Sequence, residues 1–103
     1  PGATPVPSFA GRSQVRGNVA RLSRGQSPQI LFKLENSTQV RVEVFSRLGS
    51  RVAVLADKAF PAGVQELRWD GRDNSGVDQA SGVYQVRIQA GGWVETHKVI
   101  IVR

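Results

Sequence analysis

The sequence predicts an all-β domain, an antiparallel β-sandwich of about seven strands with essentially no helix. Apolar and polar residues alternate with period two along most of the 103 residues, as they do in strands with one buried face. Clusters of glycine, proline and asparagine separate these stretches and supply the chain reversals that hairpins need. No stretch keeps helical spacing for longer than one turn.

Seven stretches carry the strand pattern, and the first of them is the weakest. Along the chain they read VRGNVARLS, QILFKL, QVRVEVFS, RVAVLA, QELRWD, GVYQVRIQA and WVETHKVIIVR. The third is the clearest, because Val40, Val42 and Val44 share one face and polar residues share the other. The predicted core between the two sheets consists of Phe32, Val42, Val44, Trp69, Tyr84, Val86 and Ile88.

Composition limits the classes of function. A chain of 103 residues with 40% hydrophobic content is sufficient for one folded domain. It contains no cysteine, which excludes disulfides, thiolate metal sites and a cysteine nucleophile within these residues. No apolar run is long enough for a membrane-spanning helix, so we expect no membrane insertion.

The net charge of +6 is concentrated at the amino-terminal end. Residues 1–24 hold four arginines and no acid, whereas acids and bases nearly balance in the rest of the chain. A nucleic-acid binder concentrates basic residues and interleaves aromatic side chains for stacking. Here the charges of the folded part alternate in sign along the strands, so we expect a solvated surface and no nucleic-acid partner.

The chain divides into a linker and a folded module. Residues 1–13 are predicted to be a flexible linker rich in proline, glycine and serine, and residues 14–103 the β-sandwich. The first residue is not methionine, and no targeting segment is present. We therefore expect a C-terminal module of a larger protein, with a preceding domain of that protein as a partner.

The densest turn chemistry lies in WDGRDNSGVDQASGVY, between the fifth and sixth predicted strands. Aspartate and asparagine side chains bond backbone amides two residues ahead, and glycine tolerates positive φ. The alternative is an oxygen cage for a metal, but the spacing D-x-x-D-N-x-G misses the alternating acids of a helix-flanked calcium loop. We interpret the motif as structural and expect no metal; its residues are Trp69, Asp70, Gly71, Asp73, Asn74, Gly76, Ser81, Gly82 and Tyr84.

Catalytic motifs are missing from the sequence. His97 is the only histidine, and there is no G-x-S-x-G, no catalytic pair of carboxylates and no glycine-rich phosphate loop. We therefore expect no enzymatic activity and no cofactor.

The same residues resemble a known family. VRVEVFSRLGSRV, followed by WDGRD, SGVY and a basic and apolar last strand, is similar to the immunoglobulin-like domain of the flagellar hook-capping (FlgD-like) family. It is also similar to the C-terminal sorting domains of bacterial proteins secreted by the type IX (Por) system. The resemblance covers about residues 28–103. It implies an immunoglobulin-like sandwich, a location outside the cell or on its surface reached through the periplasm, and a receptor of the secretion machinery as partner.

The last strand is predicted to carry the recognition surface. In HKVIIVR, period two can bury only half of the four apolar residues, so we expect an apolar outer face and an unpaired backbone edge. The predicted partner-recognition residues are His97, Lys98, Ile100, Val102 and Arg103.

Three functions stay open at this point. The first is a non-catalytic module for protein export, sorting or anchoring, and the second is a structural spacer such as a hook-cap domain. The third is a carbohydrate-binding accessory module, which needs exposed aromatic rings. Trp93, directly after the Gly91–Gly92 turn, is the predicted exposed aromatic residue.

Overall fold

The computed structural model describes residues 12–103, which form a sandwich of two β-sheets. The eight strands are β1 (Ser13–Arg16), β2 (Val19–Arg21), β3 (Gln29–Leu34), β4 (Thr38–Ser46), β5 (Arg51–Phe60), β6 (Gly63–Arg68), β7 (Gly82–Ala90) and β8 (Trp93–Val102). Within the described range the only helical segment is a single 3₁₀ turn, Leu22–Arg24. The predicted all-β sandwich with essentially no helix is therefore confirmed.

The amino-terminal stretch departs from the prediction because one predicted strand is in fact two. Gly17, at φ 65°, lies between β1 and β2 and lets the chain pass from one sheet to the other. β1 pairs antiparallel with β3, whereas β2 pairs parallel with β8. Of the predicted linker, residues 1–11 lie outside the described residues, and Ser13 already belongs to β1.

The strands form a three-stranded sheet in the order β1-β3-β6 and a five-stranded sheet in the order β2-β8-β7-β4-β5. The predicted end of the fourth stretch at Ala56 is wrong, since β5 continues to Phe60 in register with β4. The register of this pair shifts between Val42 and Glu43. Such a bulge inserts an extra residue, which hides the continuation of the strand from a period-two pattern.

The core fills the space between the two sheets. All seven predicted core residues are buried, and Trp69 and Phe32 are the largest fully buried side chains. Phe32 meets Phe60 edge to face, with ring centroids 5.2 Å apart. Each fully buried aliphatic side chain contributes about 1.5–3 kcal/mol to folding, so this core is the main stabilising element. The remaining side chains of the five-stranded sheet form an outer face.

Candidate functional site

The predicted turn motif forms the loop that leads from β6 in one sheet to β7 in the other, and an antiparallel bridge between Arg72 and Asp78 folds it into a small hairpin of its own, called the hairpin below. The indole Nε1 of Trp69 donates to the carbonyl of Arg72 at 2.9 Å, and Asp70 Oδ1 accepts from the Arg72 amide at 3.0 Å. Asp73 Oδ1 accepts from the amides of Ser75 and Val77, both at 2.9 Å. One carboxylate oxygen of each aspartate thus accepts from backbone amides, as in Asx-turns.

Asn74 connects this hairpin to the edge of the five-stranded sheet. Its Oδ1 accepts from the Val54 amide at 2.7 Å, and its Nδ2 donates to the Val54 carbonyl at 3.0 Å. β5 is the last strand of its sheet, so Val54 would otherwise present an unpaired donor and acceptor there. The side-chain amide of Asn74 pairs with this residue as a neighbouring strand would.

Gly71 is the glycine of the motif with the strictest requirement. It has φ 79°, and a Cβ at this position would stand 2.5 Å from Leu22 Cδ1 and 3.1 Å from the guanidinium of Arg103. Both the backbone conformation and the close packing therefore require the absence of a side chain.

The aromatic residues of the motif join the hairpin to the core. The rings of Trp69 and Tyr84 pack at a centroid distance of 5.0 Å with planes 66° apart. The Tyr84 hydroxyl donates to the carbonyl of Ala80 at 2.7 Å. A tyrosine near the start of a strand that bonds back to the preceding loop is the tyrosine corner of immunoglobulin-like sandwiches.

Arg103 is exposed, and it is bonded to this hairpin. Its backbone amide donates to Ser81 Oγ at 2.9 Å, and its guanidinium donates to the carbonyl of Gly71 at 2.6 Å and to that of Gln79. Asp78 lies 3.6 Å from the same guanidinium. The charged group predicted to meet a partner is therefore held within the chain.

His97 also points away from the predicted surface. It is the cross-strand partner of Val86 on β7, whose side chain faces the core, so the His97 side chain faces the same way. Its Nε2 lies 2.6 Å from Ser13 Oγ on β1. Ser13 Oγ also hydrogen-bonds to Glu95. These three polar groups join β8 to the opposite sheet, so His97 serves a contact between the sheets.

Lys98, Ile100 and Val102 do share the outer face of the five-stranded sheet. Val99 and Ile101 are fully buried, and the residues that alternate with them face the other side of the sheet. There Lys98 is exposed, and Ile100 and Val102 are partly exposed. The predicted division of this apolar run into an inner and an outer half is confirmed. These three residues lie together on one face.

The predicted unpaired edge of β8 is wrong for its last third. β2 lies against this edge with Val19 beside Ile100, Ala20 beside Ile101 and Arg21 beside Val102. The Ile100 amide donates to the carbonyl of Asn18 at 2.6 Å. A pairing between strands from opposite ends of the chain leaves no local sequence signal, so the periodicity could not reveal it.

The sequence also missed two members of the outer apolar face. Val19, Ile100 and Val83 are successive register partners across β2, β8 and β7. Val19 is 48% exposed, which is high for a valine within a strand. Their side chains make one apolar row on the outer face, called the outer row below. The alternation predicts which face each residue occupies, but only the strand order places them side by side.

Cations surround the outer row. Lys98 and Arg21 occupy the same face, at register positions beside Gln85 and Val102 respectively. Glu43, farther along this face, is buried and paired with Arg51 at 3.3 Å. The outer row is thus an apolar strip with a basic margin.

Trp93 is partly buried and does not stand alone in solvent. It packs against the core, and the guanidinium of Arg12 lies over its ring at 5.7 Å from the centroid. It borders a cleft of about 360 Å³ at the loop end of the sandwich where the β3–β4 and β7–β8 connections meet.

Residues 12–103 contain neither a candidate metal site nor a candidate membrane-spanning helix. No group of three or more histidine, cysteine, aspartate or glutamate side chains is placed to hold a metal ion in this part of the chain. Nor does any helix among these residues have the length and apolar content needed to cross a membrane.

Comparison with known proteins agrees with this architecture. The family model of the FlgD Ig-like domain matches residues 17–92, from the turn before β2 to the turn before β8. No curated protein matches the chain.

A solved structure shares the fold. PorZ, described as an essential bacterial surface component of the type IX secretion system of the human oral bacterium Porphyromonas gingivalis, matches with a TM-score of 0.60 and 19% identity. The match covers 88% of this chain and 11% of PorZ, so it concerns one module of a much longer protein.

Proposed function

This chain belongs to the FlgD Ig-like domain family, and from that membership we propose that it is a non-catalytic recognition module for the export, sorting or anchoring of a secreted or cell-surface bacterial protein. The observation that carries the proposal is the outer row with its basic margin. A strip of partly exposed valine and isoleucine on the face of a sheet is the kind of surface that a protein partner covers. The fold it shares with PorZ, a secretion-system component, supports the same choice.

The polar cluster of Ser13, His97 and Glu95 supports a structural role rather than catalysis. A serine beside a histidine and a carboxylate is the composition of a hydrolytic triad. Ser13, however, is only 2% exposed, and its hydroxyl lies between the two sheets. A hydroxyl buried between two sheets is poorly placed to attack a substrate carbonyl, which favours the role of holding β1 against β8.

A structural spacer is the second candidate, because the hairpin of residues 69–82 and Arg103 form a tightly bonded unit. A spacer needs a stable fold and does not need an outer row. The two candidates therefore differ in whether substitutions on that row affect export while the fold stays intact.

The test is export of a fluorescent protein fused in front of the chain, in a bacterium that has the type IX system. We expect the fusion to reach the cell surface or the medium, and the Val19→Glu/Lys98→Glu variant to stay in the periplasm. Both side chains lie on the outer face, so their replacement removes apolar surface and reverses the charge of the margin without disturbing the core.

The matched control is Val64→Glu/Arg68→Glu. It makes the same chemical changes on the outer face of the three-stranded sheet, and we expect normal export. Thermal melts of all variants establish that each remains folded. Failure of the unmodified fusion to leave the periplasm would favour the spacer, and normal export of the Val19→Glu/Lys98→Glu variant would rule out the outer row as the surface that is read.

A further inference from the structure

The cleft beside Trp93 has a wall made by two adjacent cations. The Lys33 amide donates to the Arg12 carbonyl at 2.9 Å, which fixes the two residues as neighbours across β1 and β3. No carboxylate lies within ion-pair distance of either side-chain cation among residues 12–103, in contrast to Arg41, Arg51, Arg72 and Arg103. Two like charges side by side are unfavourable unless an anion lies between or above them.

The ring of Trp93 orients the guanidinium of Arg12. The guanidinium lies over this ring, and the Arg12 amide is bonded to Glu95 Oε2 at 3.3 Å. A planar guanidinium that is already oriented loses less conformational entropy when it binds a carboxylate with two parallel hydrogen bonds. This arrangement favours a carboxylate ligand.

The remaining wall of the cleft offers neutral polar groups and open backbone. Asn36 and Thr38 contribute an amide and a hydroxyl, and the backbone of Gly92 has open space where a side chain would stand. Glu35 also lines the cleft, so the lining keeps one net positive charge and a carboxylate that can accept from hydroxyl groups. The volume of about 360 Å³ is at the small end of ligand sites and suits one or two sugar rings.

We propose that this cleft binds an acidic saccharide, with Arg12 and Lys33 holding the carboxylate of a uronic acid residue. The partly exposed edge of Trp93 supplies apolar contact to the sugar ring, and Asn36, Thr38 and Glu35 bond its hydroxyl groups. None of these residues belongs to the outer row, so this site is independent of the proposed role in export.

Short oligogalacturonates are the probe, with neutral cello-oligosaccharides of the same length as the comparison. Tryptophan fluorescence is the readout, because Trp69 is fully buried and a ligand in the cleft changes only the environment of Trp93. We expect saturable binding of oligogalacturonate, confirmed by calorimetry, and a fluorescence change that is lost in Trp93→Phe.

Arg12→Gln/Lys33→Gln should weaken this binding by about tenfold or more, since charge-assisted hydrogen bonds are lost. We expect the variant to remain folded, because the hydrogen bonds of the two residues across the strands come from backbone atoms, and a thermal melt checks this. Arg24→Gln/Arg47→Gln is the matched control; it removes the same charge from exposed positions elsewhere and should leave the affinity unchanged.

Three results would overturn the proposal. One is no binding of oligogalacturonate at millimolar concentration. Another is an equal loss of affinity in the two charge variants, which would mean general attraction to a cationic protein. The third is binding of another ligand with the same affinity. Equal binding of the neutral sugars would show that the cleft does not recognise the carboxylate, and equal binding of citrate would show that it does not recognise the sugar.

Discussion

Asn74 is a single side chain that pairs with one residue of an open sheet edge. It lies in the hairpin of residues 69–82, yet both of its amide bonds go to Val54 on β5. This contact satisfies one backbone donor and one backbone acceptor of an edge strand, and it also attaches the hairpin to the sheet. Its energetic contribution is therefore that of two hydrogen bonds with a shared geometry.

Asn74→Ala should lower the free energy of unfolding by about 1–2 kcal/mol, because both bonds to Val54 are lost. Asn74→Asp should cost at least as much, since a carboxylate oxygen would then face the Val54 carbonyl. Urea denaturation with an unchanged m-value is the measurement. Ser75→Ala is the control at the neighbouring exposed position and should stay within about 0.5 kcal/mol; equal stability of Asn74→Ala and the parent would mean that the contact contributes nothing.

At the residue scale, the sequence predicts local contacts and misses distant ones. The bonds of Asp70 and Asp73 run to amides two and four residues ahead, so the composition of the turn is enough to anticipate them. Asn74 and Arg103 find their partners 20 to 32 residues away, in elements that meet only in the folded chain. For the same reason the sequence does not reveal that the guanidinium of Arg103, a predicted partner-recognition residue, is bonded to the hairpin.

At the scale of elements, β2 is the strand that the sequence describes least well. It is three residues long, and it covers the end of β8 in the one parallel pairing of the described sheets. Ala20 is fully buried on the inner face, whereas Val19 beside it is 48% exposed on the outer face. The two adjacent positions therefore test whether this short strand has a fixed register.

Ala20→Asp should lower the free energy of unfolding by about 3–4 kcal/mol, because it places a carboxylate without a partner in the core. Val19→Asp, the same acid one residue away, should cost no more than about 1 kcal/mol. Chemical denaturation of both variants gives the comparison. Similar losses at the two positions would mean that β2 is not held in this register.

Strand parity was predictable and strand order was not. Period two in β4, in β7 and in the apolar end of β8 assigned the inner and outer faces correctly, since each residue of a strand responds to its own side of the sheet. His97 is the exception, because it is predicted on the recognition surface with Lys98 but has the parity of the buried Val99. The outer row and the cleft each need side chains from several strands and loops that are far apart in the sequence. Their residue types can be read from the sequence, but their assembly depends on topology.

At the scale of the whole molecule, one core joins the two sheets. Trp69 follows β6 of the three-stranded sheet and packs on Tyr84 of the five-stranded sheet. Residues near both ends of the described range also meet, through Ser13 with His97 and β2 with β8. Neither sheet has a core of its own that would remain if the other sheet unfolded, so unfolding of the sandwich should be all-or-none.

The Trp93→Phe variant makes this expectation measurable, because its fluorescence reports only the buried Trp69. Far-UV circular dichroism, which follows the sheets, and this fluorescence should give the same denaturation midpoint. Addition of a chelator should not shift that midpoint, because Oδ1 of Asp70 and of Asp73 each accept from backbone amides and so stabilise the hairpin without a cation. Addition of zinc or calcium serves as the converse control and should be equally without effect. Two separate transitions would show that the sheets unfold independently. A lower midpoint in chelator would show that the hairpin binds a metal ion.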